Sequence, residues 1–174
     1  MNIYAGFSAP TTSFPIFGWI IQWVDRRPYD HAYIRFQDPT TGTWMVFEAS
    51  KEMVNLYSYE VFLQSNSTVK EYIINTDQSH YSDLWIYIIQ SLGIPYSLKI
   101  AAGILLMKIF PFKSNPFGNS PNEEVCSELA SRVCAILGVP VPLDYSSIDP
   151  SALDQLLSNN NIPLSNDYQT CLNL

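Results

Sequence analysis

The stretch EEVCSELASRVCAILG, residues 123–138, decides how this chain is read. It has the form of an amphipathic helix that runs to about Leu137 and is stopped by Gly138 and Pro140. Cys126 stands at its head. A thiol at a helix N-terminus gains from unpaired backbone N–H groups and the positive end of the helix dipole, which favour a thiolate. His31 lies 95 positions upstream in PYDHAYIRF, residues 28–36, at the start of what reads as a strand. An imidazole brought beside that thiol can take its proton, the Cys–His arrangement of a nucleophilic hydrolase or acyltransferase.

A competing signal sits just upstream. Ser120-Pro121-Asn122-Glu123 has the S-x-x-E form of a capping box with Pro at the first helical position. That start would place Cys126 more than a turn inside the helix, where the dipole effect has faded.

At 174 residues the chain has the length of one domain, residues 1–174, with a substantial core. The net charge is −7 and no basic cluster offsets it, which argues against a nucleic-acid partner held through phosphates. The cysteines at 126, 134 and 171 are odd in number and lack metal-ligand spacing. Cys126 and Cys134 are about two helical turns apart, too far for a disulfide. A reducing compartment fits this pattern, and Cys134 and Cys171 read as inert packing. No metal or cofactor is expected. MNIYAGFSAP at the N-terminus has no signal-peptide form, so the expected location is cytoplasmic or phage-associated. The most apolar run, Leu98 to Phe110, carries Lys99 and Lys108 and falls short of the ~20 residues needed to span a bilayer. It reads as a buried or membrane-surface helix, with core packing favoured.

Strands are expected at 2–7, 31–36, 43–49 and 69–74, with 54–63 ambiguous. Helices are expected at 14–24, at 79–92 (apolar at Leu84, Ile88, Ile89 and Leu92) and after the Asp149-Pro150 cap. This order predicts an α+β domain, an antiparallel sheet packed against helices with the thiol at a helix N-terminus.

The runs at 31–36 and 43–49 flank QDPTTG, residues 37–42, and read as a hairpin. Pairing Phe36 with Thr43 places His31 opposite Glu48, within side-chain hydrogen-bond reach. A carboxylate there would fix the imidazole tautomer and favour the imidazolium. Gln37 and Asp30 are the alternative orienters. A lone His opening a strand is more often structural than catalytic. Glu48, between Phe47 and Ala49, is harder to dismiss, because a buried carboxylate needs a partner.

The succession DHAYIRF, FEAS, LGIPYS, VCSELA and DPSALDQLL resembles the circularly permuted papain-like cysteine hydrolases, the YiiX-like branch of the NlpC-type amidase and endopeptidase superfamily. The resemblance spans roughly residues 2 to 157 and is most specific at CSEL. It implies a permuted papain-like fold in which the His strand precedes the Cys helix, with that helix starting at or just before Cys126. It also implies Cys126 as nucleophile, His31 as general base, Glu48 as the residue orienting His31, and Tyr96 lining the cleft and helping to hold the oxyanion. Asp30 replaces the small residue that commonly precedes the family histidine.

The leading expectation is a thiol hydrolase acting on an amide, peptide or ester bond through a thioester. Peptides, peptidoglycan stem peptides and acylated lipids or proteins are the candidate substrates. Acyl transfer of the lecithin:retinol acyltransferase-like kind is a related reading. The alternative class is a non-catalytic structural or binding module of a phage or cell-envelope assembly.

Overall fold

The structure, a computed structural model, describes residues 1–11, 27–50, 52–118 and 122–165. The helix expected at 14–24, Cys171, and Ser120 and Pro121 of the capping-box pattern lie outside the described residues.

Five strands form one antiparallel sheet in the order β4-β3-β2-β1-β5: β1 (Asn2–Pro10), β2 (His31–Gln37), β3 (Trp44–Ala49), β4 (Val54–Ser58) and β5 (Asn66–Asn75). The helices are α1 (Tyr59–Leu63), α2 (Gln78–Ser91), α3 (Leu98–Ile109), α4 (Cys126–Ile136) and α5 (Pro150–Asn159). The fold is therefore α+β. The ambiguous stretch 54–63 divides at Ser58, which ends β4 and caps α1 through its side chain.

Side-chain alternation gives the sheet two buried faces. Ile3, Ala5, Phe7, Ala32, Ile34, Phe36 and Phe47 meet Leu84 and Ile88 of α2, Leu129 and Val133 of α4, and Leu153 and Leu157 of α5. The other face packs Tyr33 and Val46 under Tyr59 and Phe62 of α1. On that side Arg35 donates from Nε to Glu71 Oε1 at 2.8 Å and from a terminal nitrogen to Oε2 at 2.5 Å, with both side chains fully buried. A Cβ on Gly6 would lie 2.2 Å from Tyr33 Cζ, so the missing side chain lets the tyrosine ring cross β1.

Two apolar segments bury less than their composition suggests, and for the second the favoured core packing is corrected. Ile89 and Leu92 of the α2 region are exposed, and its buried side is Tyr81, Leu84, Ile88 and Ser91. More consequentially, the apolar helix α3 is not a core helix: only Ile100 and Gly103 are buried, while Leu98 and Ile109 are 61% and 60% exposed. Polar contacts hold it instead. Asn115 donates from Nδ2 to Ile100 O at 3.0 Å and to Ser146 O at 2.7 Å, and Gly103 leaves the space that Asn115 fills. Among the described residues no helix is long and apolar enough to cross a membrane.

Candidate active site

Helix α4 begins at Cys126 because the chain before it is held extended. Glu124 N donates to Pro95 O at 3.1 Å, and Ser97 N to Glu124 O at 3.0 Å, which pairs this segment with Tyr96 as an isolated parallel bridge. Val125 occupies the N-cap and offers no side-chain cap, so the first-turn amides keep their unpaired character at the thiol. Ser127 Oγ donates to Ile148 O at 2.6 Å and fastens that turn to the segment leading into α5. Asp149 caps α5 by accepting from Ala152 N at 2.9 Å, as its sequence predicts.

His31 opens β2, paired with Ser8 of β1 beside a bulge at Phe7/Ser8. The preceding residues are fixed by Asp154 of α5, which accepts from Tyr29 Oη at 2.5 Å, Tyr72 Oη at 2.6 Å and Lys70 Nζ at 2.5 Å. Burial works against the Asp154 charge, but these donors outweigh it and hold its carboxyl below the usual range.

The imidazole faces two partners. His31 Nε2 donates to Glu48 Oε2 at 2.6 Å, and the ring also interacts with the Cys126 side chain. With Nε2 committed to the carboxylate, Nδ1 is the nitrogen left for the sulfur. Glu48 is 2% exposed and also accepts a hydrogen bond from Tyr57 Oη. Burial disfavours the charged imidazole, but Glu48 and Cys126 outweigh it and raise the His31 pKa well above 6.5. Burial likewise pushes Glu48 up, while the His31 charge and the bonds from His31 and Tyr57 bring it below 4.5. The pair is thus poised as imidazolium and carboxylate.

The expected Phe36–Thr43 register is corrected. Gln37 pairs with Trp44 and Ile34 with Phe47, two residues out of the expected frame. A two-residue shift keeps every side chain on its face. The β2–β3 ladder ends at Ile34–Phe47, so His31 and Glu48 meet through their side chains rather than as an opposed pair. The longer frame arises at the turn, where Asp38 accepts from Thr40 N and Thr41 N and Asp38 N bonds Thr43 O. Gln37 Nε2 is spent on Gly42 O at that turn, and Asp30 lines the cleft.

Cys126 opens onto a cleft walled by Ala101, Ile104 and Leu105 of α3 and by Tyr96, Val125 and Pro150. Lys108 Nζ and Asp149 Oδ2, 2.9 Å apart, lie at its edge. Tyr96 is half-buried; burial first, then Cys126 and Asp30, push its phenol pKa up, so it stays a protonated donor. Cys134, on the same helix, is fully buried in the core with its pKa pushed up to about 12 by burial. Among the described residues no group of three or more His, Cys, Asp and Glu side chains is placed to hold a metal ion.

Cys126, His31, Glu48 and Tyr96 therefore converge, although 95 residues separate the first two in the chain. Sequence reasoning missed Tyr57. Its signal was available in the β3–β4 pairing: Asn55 pairs with Glu48, and Tyr57, two residues on, shares that sheet face. No protein-family model matches the chain, and no curated protein matches it.

Proposed function

We propose that this chain is a thiol hydrolase of the permuted papain-like, NlpC-type kind, which cleaves an amide, peptide or ester bond through a Cys126 thioester. The observation that carries the reading is the His31 imidazole held between the Cys126 thiol and a buried, ionised Glu48.

In the attacking state the Cys126 proton already sits on His31 Nδ1, so the pair is thiolate and imidazolium, and the thiolate attacks the substrate carbonyl carbon. The oxyanion that forms is stabilised by the uncapped first-turn amides of α4 and by the Tyr96 hydroxyl. The tetrahedral intermediate collapses, and the His31 imidazolium returns the proton to the departing amine or alcohol. His31 then takes a proton from water as it attacks the thioester, and the carboxylic acid leaves with Cys126 restored as thiol or thiolate. Glu48 holds the ring and stabilises the imidazolium throughout. Acyl transfer differs only in the acceptor that resolves the thioester, so product analysis with water and with amine acceptors separates the two outcomes.

The test is incubation with an activated acyl ester, followed by intact mass measurement and peptide mapping. One acyl group on Cys126, lost in Cys126→Ala and slowed in His31→Ala, is the expected result. No adduct on Cys126, or equal modification of Cys134, overturns the hydrolase reading and leaves the binding-module alternative.

A further inference from the structure

The outer face of α3 has a composition at odds with its exposure. Helical spacing places Leu98, Ala102, Leu105 and Ile109 on one stripe, opposite the buried Ile100 and Gly103. Phe110, Phe112 and Phe117, just beyond the helix, are about half exposed. An apolar patch of this kind in water marks a surface with a partner.

Charge identifies the partner. Between residues 97 and 122 there is no Asp or Glu, yet Lys99, Lys108 and Lys113 supply three of the nine basic side chains of a chain with net charge −7. On the helix, Lys99 lies to one side of the apolar stripe and Lys108 to the other. Lys108 pairs with Asp149. Among the described residues Lys99 and Lys113 make no ion pair. The nearby Glu123 accepts from Ser97 Oγ at 2.6 Å, at the base of the helix. A second copy pressed onto this face would set lysine against lysine. An apolar stripe flanked by lysines matches the interface of a bilayer with anionic headgroups.

We infer that α3 and the 110–117 segment dock on an anionic lipid surface, which meets the mouth of the Cys126 cleft because Leu105 and Lys108 belong to both. This docking does not depend on the hydrolase reading, and Cys126→Ala binds as the parent chain does.

The test is flotation of the full chain with large unilamellar vesicles, of phosphatidylcholine alone or with about one third phosphatidylglycerol. Binding to the anionic vesicles, weakened by 0.5 M salt, is expected. A lysine at an anionic leaflet is worth roughly fivefold in partitioning, so K99Q/K113Q lowers the partition coefficient roughly 25-fold. Leu98→Ser with Phe112→Ser weakens binding to both vesicle types, whereas Ile86→Ser with Ile89→Ser on the exposed side of α2 changes neither. Should the Leu98/Phe112 variant fail to fold, the lysine pair, both side chains exposed, still decides the matter. No flotation with anionic vesicles, or flotation unaffected by K99Q/K113Q, overturns the inference. So does a dimer in sedimentation equilibrium that the α3 variants dissolve while the parent fails to float.

Discussion

Glu48→Gln removes a charge while keeping the shape of the side chain, so it isolates what the carboxylate does for His31. For unit charges roughly 4 Å apart, the spacing that accompanies the 2.6 Å Nε2–Oε2 contact, an effective dielectric of about 20 gives about 4 kcal/mol. His31 keeps some solvent contact, with 18% of its side chain exposed, and screening takes that to about 2 kcal/mol. At about 1.4 kcal/mol per decade, the turnover of an activated ester falls at least about 30-fold, toward the ~10⁴-fold seen when a triad acid becomes an amide. The same change has a pH-dependent stability signature. His31, raised above its unfolded value of 6.5, contributes fully below that pH and loses its contribution as pH rises through its folded value. Glu48, lowered from 4.5, contributes fully above that pH and loses its contribution as pH falls through its folded value. The deficit of the variant is therefore largest between pH 4.5 and 6.5. A loss of about 2 kcal/mol there corresponds to a melting temperature roughly 4–8 °C lower for a chain of this size. Steady-state kinetics beside calorimetry at pH 5.5 and pH 9 measures both. Turnover within threefold of the parent, together with the stability loss, would refute the reasoning and leave Glu48 a structural carboxylate.

Tyr57→Phe removes one donor from Glu48, so the carboxyl rises toward its ordinary value; acid unfolding begins at a higher pH and stability at pH 7 drops by about 1–2 kcal/mol, read by melting across a pH series. Tyr96→Phe lowers kcat about 10- to 100-fold with little change in KM, because its hydroxyl acts on the oxyanion rather than on the ground state; an equal change in both constants would assign it to substrate binding. Arg35→Ala strands the buried Glu71 carboxylate and costs about 3–5 kcal/mol by denaturant unfolding, whereas Arg35→Met combined with Glu71→Leu restores most of it.

The elements near the site were legible because each carries a local signal. Cys126 opens its helix where the CSEL resemblance places it, and Asp149-Pro150 starts α5 by cap and fixed φ. What failed was non-local. The hairpin frame depended on whether Asp38 would take Thr40 and Thr41 into the turn, which alternation alone does not encode. The His31–Glu48 contact survived because an error of two residues conserves the face. Apolarity alone placed α3 in the core, but packing is decided by partners, and here Asn115 tethers the helix through its backbone. The Arg35–Glu71 pair was invisible because its members come from strands joined only through β1.

The place of β1 in the sheet has a consequence for how the chain is made. Ile3 pairs with Phe36 on one side, and Asn2 with Asn75 on the other, so β1, synthesised before the other four strands of the sheet, becomes an inner strand flanked by later sequence. Until β5 has emerged, β1 has an open edge lined with apolar side chains, the kind of surface that recruits other strands. Assembly therefore has high contact order, and the sheet closes only after the long stretch between Pro10 and Asn66 has been drawn shut, a slow route to the native state. Production of the protein is thus more sensitive to the pace of synthesis and to chaperone supply than its buried core alone suggests.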